Sequence, residues 1–545
     1  MKRFYQKSLQ FVSILLWVFL SLIACDDSLR IERSQPITQD PFIEVYFNLN
    51  QAKGADYSDP YRKINRPGDN LEDTIINGIR SAQSTIDIAV QEFRLPNIAK
   101  ALVEQAKKGI KIRIILENDY NLSLDNFPPE IVRQMEPREK QRYDQYLKFI
   151  DVNNDKVLSN KELEERDIFT ILSQGNIPII DDTEDGSKGT GLMHHKFIII
   201  DGKIIITGSA NFTLSGIHGD FSNNQTRGNA NNLLRINSPQ LAQLFTEEFN
   251  LMWGDGKGGK KDSKFGLNKL KRPPKTINIG QSQVTVKFSP NSSKEEWNMT
   301  TNGLISSILN QSKTSVNLAL FVFSDQNIAN TLEIKNSQGI KIKTLIDSEF
   351  IFRHYSEGLD MLGVALSNNC KYEIDNKPWK QNANTVGVAN LPQGDKLHHK
   401  FAIIDDNIVI TGSHNWSASA NYQNDETLLV IKNPLIAEHY QQEFNRLYNN
   451  STLGIPENIN NKIKKDIENC PTLLTQTSPE NLVKIININT ANLQELETLP
   501  GIGQTLAERI IDERKVKPFK SLEDLTRVKG IGESKIKKLQ GKVSW

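Results

Sequence analysis

Between residues 70 and 450 the chain switches repeatedly between two apolar periods. Leu71, Ile75, Ile76 and Ile79 fall three and four apart, which predicts a helix over 70–83 with one buried face. The next segment, Ser84-Thr-Ile-Asp-Ile-Ala-Val90, alternates and is rich in β-branched residues, which predicts a strand. A second helix over 98–108 and a second strand over 109–116 follow. The same order returns later: a helix over 302–312, a strand from Ser315 to Phe321, a further helix, and a strand from Gly339 to Ile346. Strands alternating with helices predict an α/β fold class in two units of similar topology, over 40–253 and 280–450. A repeat this long is not a solenoid unit.

One apolar run stands outside this pattern. Lys2, Arg3 and Lys7 precede a stretch from Leu9 to Ile23 that ends in Leu22-Ile-Ala-Cys25. A positive start, a short apolar core and a small residue before the cut predict an export signal over 1–25, too short for a transmembrane anchor. The ending resembles a bacterial lipobox. That resemblance implies lipidation of Cys25 and a mature protein tethered to an extracytoplasmic membrane face. Cys370 and Cys470 remain, and pairing between them is left open.

Composition adds little. The 545 residues are 38% hydrophobic and 24% charged, which excludes a polytopic membrane protein and a fully disordered chain. Lys and Arg total 66 against 65 Asp and Glu, so only local charge can indicate a partner. Residues 254–279 read as a basic linker, either a solvated connector or a strip that guides a polyanion. Residues 451–480 read as a second linker.

Each α/β unit ends in one chemical pattern. His194-His-Lys196-Phe-Ile-Ile-Ile-Asp201 precedes Gly208-Ser209-Ala-Asn211, and His398-His-Lys400-Phe-Ala-Ile-Ile-Asp405 precedes Gly412-Ser413-His-Asn415. On a strand, residues i and i+2 share a face, so each His projects with its Lys. These residues resemble the signature of the phospholipase D superfamily. The resemblance implies two α/β/α lobes with one active site between them, both His-Lys pairs converging on a phosphate. It also implies a hydrolase acting on phosphoric diesters, with Asp201 and Asp405 in the catalytic set. Lys196, Lys400, Asn211 and Asn415 would bind the nonbridging oxygens, with Ser209 and Ser413 also on the phosphate. One imidazole would attack phosphorus to give a phosphohistidine while the other protonates the leaving alcohol, with no metal required. The family pattern places a carboxylate behind the second histidine. Glu426 matches that place after Asn415, whereas Asn231 stands at the equivalent place in the first half. This asymmetry leaves the roles open, with His194 favoured as nucleophile and His398 as acid and base.

The first unit carries an insertion before His194. Asp151-Val-Asn153-Asn-Asp155-Lys-Val157-Leu-Ser159-Asn-Lys-Glu162 resembles an EF-hand loop, flanked by helical sequences over 138–149 and 161–172. The resemblance implies calcium held by Asp151, Asn153, Asp155, Val157, Ser159 and Glu162, ordering a loop near the cleft and taking no part in the chemistry. Lys156 stands where glycine is usual, which points to modest affinity.

The C-terminal segment 481–545 repeats a shorter phrase, Gly501-Ile-Gly503 and Gly530-Ile-Gly532, each before a helical pattern. Bare glycine amides at a helix start suit a phosphate. The segment resembles the helix-hairpin-helix domains of bacterial competence DNA receptors. That implies a small all-α domain binding the DNA backbone through these glycines, with Lys529, Lys535 and Lys538 nearby. The expected partners are therefore a phosphodiester substrate, phospholipid or DNA, and a membrane reached through Cys25. A metal-independent DNA endonuclease without phospholipase activity, and a catalytically silent surface DNA receptor, stay open as alternatives.

Overall fold

The computed structural model describes residues 33–123, 129–183, 185–256, 258–470, 473, 486–497, 499–539 and 542–545. The expected export signal and Cys25 lie outside the described residues, as do residues 481–485 of the C-terminal segment.

In the first lobe, β1 (Ile43–Phe47), β2 (Thr85–Val90), β3 (Lys111–Leu116), β4 (Ile179–Asp181), β5 (Lys196–Ile200), β6 (Ile204–Gly208) and β7 (Asn232–Asn237) form a seven-stranded sheet. Their order is β1-β7-β6-β5-β2-β3-β4, with β2, β3 and β4 parallel and the others antiparallel to their neighbours. Helices α1 (Leu71–Ser81) and α2 (Pro96–Lys107) cover one face through a core of Ile75, Ile79, Ile98, Leu102, Ile88 and Ile114. The insertion contributes α3 (Pro137–Ile150), α4 (Asn160–Arg166) and α5 (Ile168–Ser173). The helix expected over 161–172 is broken at Asp167. Its carboxylate accepts the Thr170 N–H at 2.8 Å, starting α5, and the Tyr146 hydroxyl at 2.7 Å. Helix α6 (Pro239–Trp253) lies on the other face of the sheet.

The second lobe repeats this plan with β8 (Lys275–Ile279), β9 (Ser282–Ser289), β10 (Ser315–Leu320), β11 (Lys341–Ile346), β12 (Val386–Ala389), β13 (Lys400–Ile404), β14 (Ile408–Gly412), β15 (Glu426–Lys432) and β16 (Ser451–Leu453). The nine-stranded order is β8-β9-β15-β14-β13-β10-β11-β12-β16, so its inner seven strands reproduce the first sheet position for position. Helices α7 (Thr301–Leu309) and α8 (Gln326–Ser337) take the places of α1 and α2, and α9 (Pro434–Asn449) that of α6. The largest apolar cluster joins the lobes: Phe197, Phe245 and Phe249 from the first share it with Phe401, Tyr440 and Phe444 from the second. Each ring removed from water contributes about 1.5–3 kcal/mol, so the lobe interface is itself a core.

The chain divides into two compact units, one holding both sheets and the other Ser367–Glu373 with the residues from Asn460 onward. In the second unit Cys370 and Cys470, left open on sequence grounds, form a disulfide across 100 residues. The C-terminal segment has its own core, including Ile488, Leu499, Ile502, Ile510, Val528 and Ile531. A parallel pair, Ile486–Asn487 with Val543–Ser544, joins its two ends, so it is not purely helical.

Candidate active site between the two lobes

Strands β5 and β13 begin at Lys196 and Lys400, and each catalytic-type histidine lies just before its strand on a segment bonded to the opposite lobe. The His194 N–H donates to the Asp425 carbonyl at 3.0 Å, and the His398 N–H to the Ala230 carbonyl at 3.1 Å. The two sets converge: the charges of Lys196 and Lys400 both act on both imidazoles. Lys196 Nζ donates to the His194 carbonyl at 2.7 Å and to Gln91 Oε1 at 3.2 Å, and Lys400 Nζ donates to the His398 carbonyl at 2.7 Å. Asn211 Nδ2 donates to the same Gln91 oxygen at 3.4 Å. Asn211 and Asn415 each keep a buried Oδ1 without a protein partner. Gln91 was not singled out from sequence, and only its place at the end of β2 beside the motif strand could have pointed to it.

The orienting residues are crossed between the lobes. Glu426 was expected behind the second histidine, but its Oε2 meets Nδ1 of His194, in the first lobe, at 2.7 Å. Asn231 Oδ1 meets Nδ1 of His398 at 2.9 Å. Glu426 Oε2 also accepts the Ser413 hydroxyl at 2.7 Å and its Oε1 the Asn424 amide at 3.3 Å, so donors surround the carboxylate. Asn231 Nδ2 donates to the Gly216 carbonyl at 2.7 Å, which fixes its oxygen toward His398. Both acceptors therefore place the ring proton on Nδ1 and leave Nε2 of each histidine as the unprotonated nitrogen. Sequence order cannot reveal this crossing, because the partners are separated by 232 and 167 residues.

Burial, then the charges of Lys196 and Lys400, hold His194 well below the ordinary imidazole range. Burial, then Lys400 and Lys196, do the same for His398. Burial brings Lys196 down to about 7, and burial with repulsion from Lys196 drives Lys400 well down. Burial also raises Glu426, against the opposing pull of His414 and Lys196. Burial and mutual repulsion thus disfavour the charged forms of both imidazoles and both lysines, which an anion between them would relieve.

Two expected roles are corrected by the geometry. Ser209 and Ser413 do not point at a phosphate: the Ser209 hydroxyl donates to Asn231 Oδ1 at 2.7 Å and accepts the Asn232 N–H at 3.1 Å. Ser413 does the same with Glu426 and the Thr427 N–H. The adjoining glycines permit the approach, since a Cβ on Gly208 or Gly412 would lie 2.2 Å from the carbonyl oxygen of Asn232 or Thr427. Asp201 and Asp405 lie at the far end of β5 and β13, ~16 Å along the strand from their lysines at ~3.3 Å per residue. Asp201 accepts the N–H groups of Gln83, Ser84 and Thr85 and the Ser84 hydroxyl, and Asp405 those of Lys313, Thr314 and Ser315 and the Thr314 hydroxyl. Each aspartate, at positive φ in the turn after its strand, holds the start of β2 or β10.

The segment 254–279 keeps Lys260, Lys261, Lys264, Lys271 and Lys275 exposed, but two of its cations are drawn inward. Lys269, its side chain 5% exposed, pairs with Asp425 at 2.6 Å and with Glu248, and Arg272 pairs with Glu248 as well. The Gly266 N–H donates to Asp425 at 2.9 Å. The linker is therefore a strap that grips the residue next to Glu426.

The calcium-type loop folds inward around its own amides. Asp151 accepts the Lys156 N–H, Asn153 Oδ1 the Asp155 N–H, and Asp155 Oδ1 the Val157 N–H, all at 2.9 Å or less. Lys156 takes the left-handed conformation expected of glycine there, with φ 68°. Glu162 caps α4 with Ser159, and hydrogen bonds from the Ser159 N–H and hydroxyl bring its carboxyl down to about 2. Leu158 packs on Tyr146, Phe149 and Ile150, which also meet Leu214 and Phe221 beyond Asn211.

In the C-terminal unit Ile502 and Ile531 are buried while Gly501, Gly503, Gly530 and Gly532 are exposed, and no atom lies within 4 Å of a Cβ built on Gly503 or Gly532. Gly503 caps α12, Gln504–Val516, when the preceding helices Glu457–Asn469 and Leu493–Glu497 are taken as α10 and α11. Lys529 and Lys538 are exposed. Lys535 instead donates to the Gly530 carbonyl at 3.0 Å, bracing one hairpin.

Residues 75–253 and 305–448 match the family model described as cardiolipin synthase, PLD-like domain, and residues 482–544 match the helix-hairpin-helix motif. The mitochondrial cardiolipin hydrolase of Xenopus tropicalis is 28% identical over 141 residues, 26% of this chain and 58% of that protein. A phospholipase D of Rickettsia conorii is 25% identical over 166 residues, 30% of this chain and 70% of that one. The crystal structure of phosphatidylserine synthase from Haemophilus influenzae superposes with a TM-score of 0.46 at 12% identity, covering 82% of this chain and 97% of that one. Two matching lobes that span more than half the sequence, each with its His-Lys pair in the shared cleft, make the chain a member of the PLD-like domain family, with a helix-hairpin-helix motif appended.

Proposed function

We propose that the chain hydrolyses a phosphodiester through a phosphohistidine intermediate, and the observation that carries this reading is the crossed pair of oriented imidazoles. Lys196, Lys400, Asn211 and Asn415 bind the nonbridging oxygens. His194 Nε2 attacks phosphorus, and Glu426 stabilises the positive ring that forms. His398 donates its proton to the leaving alcohol and then takes one from water, which releases the phosphoryl group from His194. The anionic substrate offsets the two lysines, which lets His398 hold the proton it must give. Asn231 stabilises an imidazolium less than a carboxylate does, so the weaker base suits the acid role.

Two substrates have separate support. The helix-hairpin-helix motif, with exposed glycine amides before α12, favours DNA held by its backbone. The cardiolipin hydrolase and phospholipase D relatives, and the lipobox-like ending at Cys25, favour a phospholipid at a membrane surface. The Cys370–Cys470 disulfide suits the oxidising, extracytoplasmic compartment to which the signal directs the chain. The residues of the inserted loop suit calcium in kind: Asp151, Asn153, Asp155, Ser159 and Glu162 offer hard oxygens, with the Val157 carbonyl, while Asp151 and Glu162 accept N–H groups of the loop itself. Calcium there orders α3 against the loop after Asn211.

The test is an assay of the protein on plasmid DNA and on phosphatidylcholine vesicles, in EDTA and in calcium. Turnover of either substrate in EDTA, lost in His194→Ala, is the expected result. Silence on both with DNA binding retained would replace this reading with that of a surface DNA receptor.

A further inference from the structure

Asp185, Asp255 and Asp262 bring one carboxylate oxygen each to within 4.8 Å of one another. Asp255 and Asp262 are exposed, whereas Asp185 is 4% exposed and its Oδ2 is buried without a hydrogen-bond partner. A buried carboxylate with one oxygen unpartnered, set this close to two further carboxylates, is costly unless a cation shares the site. Asp255 and Asp262 both repel Asp185, and Lys261 offsets only part of that.

The backbone holds the three in place. The Asp185 carbonyl accepts the Ser263 N–H at 3.0 Å, and the Ser187 N–H donates to the Ser263 carbonyl at 2.9 Å. Asp262 Oδ1 accepts the Asp255 N–H at 2.7 Å, and Asp255 accepts the Lys260 N–H at 2.8 Å. Gly254 turns the chain at φ 59°, and a Cβ there would meet Asp262 Oδ1 at 2.1 Å.

We propose that Asp185, Asp255 and Asp262 form a second calcium site, separate from the 151–162 loop, at the start of the strap that runs from α6 to the second lobe. Hard oxygens from three carboxylates, open to water on the exposed side, suit calcium's six to eight ligands. The cation joins the turn after β4 to the strap. From there the Phe265 N–H donates to the Ser187 hydroxyl at 2.9 Å, and Gly266 and Lys269 grip Asp425 beside Glu426. The ion acts on the stability of that frame and does not touch the substrate.

The test is calcium stoichiometry by equilibrium dialysis on the EDTA-stripped full-length chain. It compares the parent with Glu162→Gln, which disables the 151–162 loop, with Asp185→Asn, and with Asp262→Asn, whose exposed position spares the fold. Asp185→Asn is expected to lose one calcium per chain in both the parent and the Glu162→Gln background, and Asp262→Asn to weaken that calcium at least tenfold. Calcium should raise the melting temperature of Glu162→Gln but not that of Glu162→Gln with Asp262→Asn. Unchanged stoichiometry and affinity in both Asp185→Asn and Asp262→Asn would overturn the site.

Discussion

At the residue scale, the His-x-Lys spacing reveals which side chains share the cleft, but not what stands behind them. Glu426→Gln keeps the shape of the side chain and removes the charge that stabilises a positive His194 ring. It should lower kcat about 10²- to 10⁴-fold with little change in KM, read from steady-state kinetics. Asn231→Asp adds a charge behind His398 and should move the alkaline limb of the pH–rate profile upward. The aspartates of the two motifs behave otherwise. Burial pushes the Asp201 carboxyl up, but bonds from Thr85, Gln83 and Ser84 hold it below the ordinary range. A depressed carboxylate stabilises the fold above its unfolded pKa, and that contribution is lost as pH falls through the folded value. The stability gap between the parent and Asp201→Asn should therefore be full at neutral pH and close below about pH 4, with kcat unchanged. A marked fall in kcat with stability intact would return Asp201 to the catalytic set. The residue pattern could not decide this, because it carries no sign of which strand end faces the cleft.

At the element scale, the alternation of periods read the repeated strands and helices to within a few residues, since each buries one face on its own sheet. The buried ion pairs of the strap were not legible, for the opposite reason. Its Lys269 and Arg272 are hydrophilic, and only tertiary packing supplies Glu248 and Asp425 as buried partners. Lys269→Met leaves two carboxylates buried and short of a cation, which typically costs about 3–5 kcal/mol. Urea denaturation should show that loss, whereas Lys271→Met, at a side chain 68% exposed, should change stability little. Equal effects of the two substitutions would refute the strap.

At the scale of the whole molecule, the sequence repeat foretells two lobes and one cleft, while the crossing of Glu426 and Asn231 becomes visible only once the lobes are assembled. That crossing makes the site a property of the pair, since neither lobe carries both a histidine and the group that orients it. The C-terminal unit carries the helix-hairpin-helix motif, whose exposed glycines are proposed to meet the DNA backbone. Its DNA affinity should fall steeply as salt rises, in proportion to the phosphates contacted, and binding insensitive to salt would remove those contacts.

The measurement that bears most directly on the central claim is the location of the covalent phosphoryl group. Bis(4-nitrophenyl) phosphate has a leaving group that needs no acid, so His398→Ala should still be attacked and then stall before hydrolysis. Rapid quench at high pH and mass spectrometry of that variant should find one phosphoryl-type adduct per chain, on His194, and none in His194→Ala. An adduct on any other residue, or turnover in His398→Ala at the parent rate with no adduct, would contradict the assignment of the two histidines.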